Sequence, residues 1–381
     1  MGPIVILDKS TFQSLSKREH FFLRKHFKEN LTPILGLELL GDLRKETHGS
    51  KTAEEKVTEL AEKFGGSGPV TNVDYRTLCV ESLLGNHFPL DGRIIPQSAR
   101  SVPDAEGGWG VVINLSPLNQ AILRWRRGEF EEFEREFAAF WREATRNFDF
   151  DSFRDQLNVH HVILPKVYNF TELKETVDRL LATPTHQDVW LSWLLDQLSV
   201  SEEYEIAIRA RWNGSPSVLL KDFSPYSWHC LRVLLMLLVG TRHRLLRWQP
   251  TNLLDAQYLY YLPFCMVFIS GDRLHHDLAP LLVRDDQSFV VGEELKADLK
   301  RLSEFSDSLS ETERKKLAYA LGFHPPPKKD SVVHQLWKKY MRPWRPRVGY
   351  RITSLSEAEC EEAIRMVEKM FRDVEEDSYF E

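Results

Sequence analysis

Two short apolar segments that each end beside an aspartate constrain the fold of this chain most strongly. Ile4–Leu7 is followed directly by Asp8, and residues 266–270 are followed by Gly271 and Asp272. Short β-branched runs of this kind are typical of fully buried strands. Open α/β sheets bind ligands beyond the carboxyl ends of their strands. The sequence therefore predicts an α/β fold with a carboxylate at two of those ends.

Helical signals adjoin both predicted strands. Ser10 and Thr11 offer N-caps for a helix that runs to Phe27, and Thr32 with Pro33 opens another helix. The same reasoning near the second strand predicts three further elements: a helix over residues 252–262, a strand at Ser288–Val291 and a helix over residues 293–302.

The stretch between these two halves has a different pattern. Phenylalanines recur at helical spacing in residues 129–146, which indicates an amphipathic helix. Gly, Pro and Ser are concentrated in residues 65–68 and 91–109, so both are predicted to be loops. A further helix is expected at Glu311–Leu321. We therefore expect one α/β unit whose two parts are separated by a long, mainly helical insertion.

Composition excludes several classes of protein. With 42% hydrophobic and 28% charged residues in 381, the chain is globular rather than disordered or collagen-like. Its net charge of −6 requires any nucleic-acid contact to come from local basic patches. Four widely spaced cysteines argue against a zinc ribbon or a disulfide framework, so we expect a cytoplasmic protein. The longest apolar run, residues 233–239, is too short to span a membrane.

The strongest chemical signal is a set of four acidic residues, each in apolar sequence: Asp8, Glu38, Asp255 and Asp272. A carboxylate in such surroundings is destabilising unless it is paired or binds a cation. Mg²⁺ and Mn²⁺ prefer carboxylate oxygens, and a divalent ion can activate a water molecule for hydrolysis. The set therefore predicts metal-dependent hydrolysis of phosphodiester bonds.

These acids, in this order and spacing, resemble the acidic quartet of the PIN-like nuclease domain family. Thr32 to Leu35 leads to Glu38 as in the family, and Asp255 and Asp272 are 17 positions apart, about one helix and one strand. The resemblance implies a three-layer α/β sandwich with a small parallel sheet, in three regions: a discontinuous nuclease domain of residues 1–45 and 245–300, a helical insertion of residues 46–244, and a helical C-terminal region of residues 301–381.

The resemblance also implies an activity. The four acids would be the catalytic residues and would hold one or two Mg²⁺ or Mn²⁺ ions, with Ser10, Thr11 and Asn252 in support. The expected reaction is endoribonuclease cleavage, with single-stranded RNA favoured over DNA. A toxin or defence role, regulated by a partner protein, is expected by analogy alone.

Basic residues near aromatic ones are the expected nucleic-acid contacts. Residues 328–351 carry eight basic residues and one acidic residue, interleaved with Trp and Tyr, although these aromatic side chains could equally pack in the core. Lys9 and Arg273 follow two of the acids directly and could contact phosphate or weaken metal binding. The full set is Lys9, Arg273, Arg242, Arg244, Lys338, Lys339, Arg342 and Trp344.

Three alternatives stay open at this point. The four acids could merely end strands and decorate helices, which would make the chain a catalytically silent scaffold or interaction protein. It could instead be a flap-cutting DNA nuclease that uses the insertion as an arch. The doublet His275 and His276 is expected at the surface, and the acidic residues 373–381 are expected to be solvated or to lie over a basic groove.

Overall fold

A five-stranded parallel sheet forms the centre of the computed structural model, which describes residues 2–45, 50–65, 69–97, 99–103, 109–146, 165–215 and 219–342. Its strand order is β3-β2-β1-β6-β7. The predicted α/β class with a small parallel sheet is thus confirmed. The strands are β1 (Ile4–Leu7), β2 (Lys28–Leu31), β3 (Val70–Thr71), β6 (Val267–Ser270) and β7 (Ser288–Val291), and a separate antiparallel hairpin is formed by β4 (Ala99–Pro103) and β5 (Trp109–Ile113).

Helices make up most of the remaining described chain. In chain order they are α1 (Lys9–Ser14), α2 (Lys17–His26), α3 (Pro33–Gly41), α4 (Ala53–Ala61), α5 (Tyr75–Leu84), α6 (Pro117–Arg126), α7 (Glu132–Arg146), α8 (Phe170–Ala182), α9 (Gln187–Leu198), α10 (Glu202–Asn213), α11 (Leu220–Phe223), α12 (Pro225–Arg242), α13 (Asn252–Tyr260), α14 (Arg273–Leu282), α15 (Gly292–Ser308), α16 (Glu311–Leu321) and α17 (Val332–Tyr340). Within the described ranges, none combines the length and the apolar character needed to cross a membrane.

Helices cover both faces of the sheet, because alternate strand residues point to opposite sides. Val5 and Leu7 join one apolar cluster with residues of α2, α15 and α17. Ile6 and Phe268 join the other cluster, which continues into the buried helix α12. The sheet and the predicted helical insertion therefore share one continuous core on that side.

The two central strands were both predicted, and their register sets the position of the acids. β1 and β6 are adjacent and parallel, with Leu7 opposite Ile269. The Asp8 amide donates to the Ile269 carbonyl at 3.2 Å. Asp8 and Ser270 consequently lie side by side at the carboxyl edge of the sheet, and Asp272 follows two residues later.

The first predicted helix is wrong in its start and its continuity. Asp8, not Ser10 or Thr11, caps α1, because its carboxylate accepts from the Thr11 amide at 3.0 Å. The chain then breaks, and Ser16 caps α2 in a capping box with Glu19. The carboxylate at the strand end thus also starts the next helix.

Two further differences concern the middle of the chain. Part of the predicted loop 91–109 forms strand β4 of the hairpin, so that prediction is wrong there. Strand β3 lies within residues 46–244 and pairs with β2, so the sheet takes one strand from the predicted helical insertion. The division of the chain into domains stays a prediction.

Candidate functional site

The four predicted acids lie on four different elements that meet at the carboxyl edge of the sheet. Asp8 follows β1, Asp272 follows β6, Glu38 lies on α3 and Asp255 on α13. Helices α3 and α13 are joined by the Tyr258 hydroxyl, which donates to Glu38 Oε2 at 2.5 Å. The charges of Asp272, Glu38 and Asp8 all act on Asp255. The structure therefore brings the four acids into one electrostatic cluster.

Asp8 is the best-supported acid of this cluster. It is only 3% exposed, and its carboxylate accepts from Ser10 Oγ at 2.6 Å, from the Thr11 amide at 3.0 Å and from Ser270 Oγ at 2.8 Å. Burial raises its pKa, but nearby His275, together with the hydrogen bonds from Ser10 and Thr11, outweighs burial and lowers the pKa to about 2. Asp8 is therefore ionised at neutral pH.

Asp255 is in the opposite situation. Its carboxylate has no hydrogen bond to a described residue. Burial, assisted by the charges of Asp272, Glu38 and Asp8, raises its pKa to about 7, although the charge of His275 opposes this. Burial also raises the pKa of Glu38, even though the charge of Lys9 and the bond from Tyr258 oppose this. These two carboxyl groups are thus poorly stabilised as anions when no cation is bound.

Asp272 also caps a helix. Its Oδ1 accepts from the Leu274 amide at 2.7 Å in the first turn of α14, and its own amide donates to Ser270 Oγ at 2.9 Å. Its Oδ2 has no hydrogen bond to a described residue. One carboxylate oxygen of Asp272 is therefore available to a ligand.

Ser270 and His275 connect two of these acids through hydrogen bonds. His275 Nδ1 lies 2.7 Å from Ser270 Oγ, and Nε2 lies 2.7 Å from the Asp255 carbonyl oxygen. The single Ser270 proton goes to the Asp8 carboxylate, so Nδ1 must donate to Ser270, while Nε2 must donate to the carbonyl. Burial lowers the pKa of His275, but the hydrogen bond and charge of Asp8 outweigh it and raise the pKa. The ring is thus a buried cation among the acids.

This connection was not predicted from the sequence. His275 was predicted at the surface, which is wrong because the ring is completely buried. Its neighbour His276 is half-buried and approaches the Ser270 carbonyl at 3.3 Å. A usable signal existed, since a helix starting at Arg273 places residue 275 in its first turn, beside the end of β6. Tyr258 is one helical turn beyond Asp255, which is a comparable signal.

The predicted supporting residues behave differently from one another. Ser10 contacts Asp8 through its hydroxyl, as expected. Thr11 does so only through its amide, and its buried hydroxyl has no partner among the described residues. The Asn252 side chain donates to the Arg247 carbonyl at 3.1 Å instead of contacting an acid. Asn252 therefore stabilises the loop before α13.

The two cations next to the acids also differ. Lys9 Nζ donates to the Glu38 carbonyl at 2.9 Å and forms a salt bridge with Asp42 at 2.8 Å, so its amine is engaged within the protein. The Arg273 side chain is 92% exposed, and its ion pair with Asp277 is long, at 4.0 Å. Of this pair, Arg273 is the one that can reach an external phosphate.

Two of the other predicted nucleic-acid contacts, Lys338 and Lys339, lie on a helix away from the acids. Lys339 Nζ donates to the Gln287 carbonyl at 2.7 Å and to Ser288 Oγ at 3.0 Å, at the start of β7. In a parallel sheet that start lies at the amino edge, opposite the acids. Helix α17, which carries Lys338 and Lys339, therefore does not extend the acidic site.

The remaining predicted cations lie at or just beyond the ends of helices α12 and α17. Arg242 is the last residue of α12 and Arg244 lies just beyond it, both exposed. Arg342 is exposed after α17, and Trp344 lies outside the described residues. Among the predicted contacts, only Lys9 and Arg273 are sequence neighbours of the acids.

The acids do not form a ready-made metal cage. Among the described residues, no three Asp, Glu, His or Cys side chains are arranged so that they could hold a metal ion. The chemistry of the donor set nevertheless suits Mg²⁺ or Mn²⁺, because all four side chains offer carboxylate oxygens. The unpartnered Asp255 carboxylate is the feature that a cation would stabilise most.

Comparisons of the chain with protein-family models, with curated proteins and with solved structures found no match.

Proposed function

We propose that the protein is a metal-dependent nuclease. Its active site, formed by Asp8, Glu38, Asp255 and Asp272, would hydrolyse phosphodiester bonds. The observation that supports this best is the raised pKa of Asp255, to about 7, to which the other three acids contribute. Burial of the Asp255 charge and its repulsion by the other acids are unfavourable in a metal-free protein, and a divalent cation would offset both. Perturbed carboxyl groups at the carboxyl edge of a parallel sheet are typical of functional sites.

The residues differ in what they would supply. Asp8 is held ionised by three hydrogen bonds, so it would provide a fixed negative charge. Asp255, Oδ2 of Asp272 and Oε1 of Glu38 have no hydrogen bonds to described residues and would provide the free oxygens. A cation would have to draw these side chains closer together than they lie without it. Bound Mg²⁺ or Mn²⁺ would supply Lewis-acid activation of water and phosphate.

RNA is the proposed substrate in preference to DNA, and single-stranded RNA in particular. This preference and a toxin or defence role rest on the resemblance to PIN-like nucleases alone. Among the protein's own residues, the exposed Arg273 beside Asp272 would neutralise one phosphate of the bound strand. A flap-cutting DNA nuclease would use the same acids, so the substrate is decided by assay.

The assay is cleavage of labelled single-stranded RNA, single-stranded DNA and flap DNA with Mg²⁺, Mn²⁺ or EDTA. We expect metal-dependent cutting of RNA that is lost in Asp8→Asn and in Asp255→Asn. Asp285→Asn is the matched control, because Asp285 is exposed before β7 at the opposite edge of the sheet. Cutting that survives in both site variants would show that a different site, or a contaminant, is responsible.

A catalytically silent scaffold is the second candidate, and it has its own supporting observation. Two cations already compensate part of the acidic charge: His275 lies 3.8 Å from Asp8, and Lys9 pairs with Asp42 next to Glu38. A silent protein should show no cutting on any substrate and no gain of thermal stability from Mn²⁺.

A further inference from the structure

An apolar groove lies between helices α2, α15 and α16, on the face of the sheet away from α12. Phe21 is 49% exposed there. The groove lies toward the amino edge of the sheet, because His26, which lines it, comes just before β2. Its apolar lining is formed by Phe21, Phe22, Phe305, Leu309, Leu317 and Leu321.

Three cations also line the groove: Arg18, Lys25 and Arg314. Arg18 forms a salt bridge with Asp307 and lies 5.2 Å from the centre of the Phe22 ring. Lys25 and Arg314 have no salt bridge to any residue that the structure describes. Burial lowers the pKa of Lys25, so its charge is incompletely solvated. The groove therefore suits a ligand that is apolar along its length and acidic at its sides.

Helix α17, the last helix of the described chain, contacts two residues that line this groove. Trp337 on α17 donates its indole N–H to the His26 carbonyl at 2.6 Å, and its ring centre lies 4.6 Å from that of His324. His26 and His324 both line the groove. Arg342, five residues after Trp337, is the last described residue. The residues that follow Arg342 thus begin a few positions after a side chain that contacts the groove lining.

The sequence of that following chain is complementary to the groove. Residues 356–381 include ten acidic and three basic residues, a net charge of −7. Within them, apolar residues recur at the three- to four-residue spacing of a helix, as in Ile364, Val367, Phe371 and Val374. The eighteen residues from Arg342 to position 360 can span up to about 60 Å when extended, so the reach is sufficient.

We propose that residues 356–381 bind in this groove, with their apolar residues against Phe21 and Leu317 and their acidic residues beside Lys25 and Arg314. This is recognition of an amphipathic acidic segment by an apolar groove with a cationic rim. Because the groove lies toward the amino edge and the four acids at the carboxyl edge, the segment would not cover the acidic site. The inference is independent of the proposed nuclease activity.

The test is zero-length carbodiimide crosslinking of lysine to carboxylate in the full chain, followed by mass spectrometry. Equal amounts of ¹⁴N- and ¹⁵N-labelled protein are mixed first, so that links within one chain are distinguished from links between chains. We expect a link from Lys25 to an acid of residues 356–381 within one chain. The double variant Val367→Asp, Phe371→Asp should reduce that link at least about fivefold.

Lys369→Asp is the matched control. It changes the net charge by the same amount as the double variant, but position 369 is not part of the apolar series. It should leave the Lys25 link in place. Three results would overturn the proposal: links from this segment only to lysines outside the groove, such as Lys9; links only between differently labelled chains; or a Lys25 link that the double variant does not reduce.

Discussion

Nε2 of His275 lies 2.7 Å from the carbonyl oxygen of Asp255, which joins the first turn of α14 to helix α13. Through its other nitrogen the same ring contacts Ser270, which in turn donates to Asp8. One completely buried side chain thus links the two central strand ends to the helix that carries a third acid.

Replacing His275 should therefore destabilise the protein substantially. His275→Ala would leave Ser270 and the Asp255 carbonyl without a partner and would remove a buried positive charge beside Asp8. We expect a loss of about 3 kcal/mol in the free energy of unfolding, measured by urea denaturation at pH 7. His275→Gln, which retains a donor, should lose less. A change below about 0.5 kcal/mol in His275→Ala would show that the link contributes nothing.

Asp255→Asn should have the opposite effect on the metal-free protein. The raised pKa of Asp255 reports burial and repulsion by its neighbours, and an amide carries no charge to be repelled. We expect the midpoint of urea unfolding in EDTA to rise at pH 8. Asp8→Asn should lower it, because the pKa of Asp8 is lowered to about 2 by favourable contacts. If both variants shift the midpoint in the same direction, the assignment of unequal roles is wrong.

Buried neutral histidines should make the protein unstable in acid. His229 Nε2 donates to the Leu259 carbonyl, 2.9 Å away, and burial lowers the pKa of His229 to about 4, compared with about 6.5 in an unfolded chain. The unfolded state therefore takes up the proton first, and stability falls as the pH decreases from about 6.5 to about 4. The loss for this one group is about 3 kcal/mol.

His229→Gln tests this dependence, by urea denaturation at pH 7.5 and pH 4.5. The variant should lose less stability between the two pH values than the wild type does. His87→Gln is the control, since His87 is exposed. An identical pH dependence in wild type and His229→Gln would contradict the prediction.

The sequence was informative wherever a local pattern determines the structure. Strand β7 and helix α16 have the predicted bounds, and β1 and β6 follow from their apolar runs. Strand β2 was not predicted because the polar residues Glu29 and Asn30 interrupt the apolar pattern expected of a buried strand. The buried Asn30 side chain donates to the Phe264 carbonyl at 2.9 Å and accepts from Asn72 Nδ2 at 3.3 Å, and burial raises the pKa of Glu29 to about 7. Such long-range compensation has no local signature.

The candidate site shows the same limit. The order and spacing of the four acids were readable, since each stands in apolar sequence. The partners that set their charge states, Ser270, His275 and Tyr258, come from other turns of the chain and were not identified. The predicted basic stretch also failed as a guide to position, because Trp337 is a buried core residue that holds α17 at the amino edge.

Titration of Mn²⁺ into the metal-free full chain, followed by calorimetry, tests the central claim most directly. The account predicts saturable binding of one or two ions to the wild type and to Asp285→Asn, and loss of that binding in Asp8→Asn and in Asp255→Asn. Absence of binding to the wild type at millimolar Mn²⁺, or equal binding to all four proteins, would contradict a metal site at these acids.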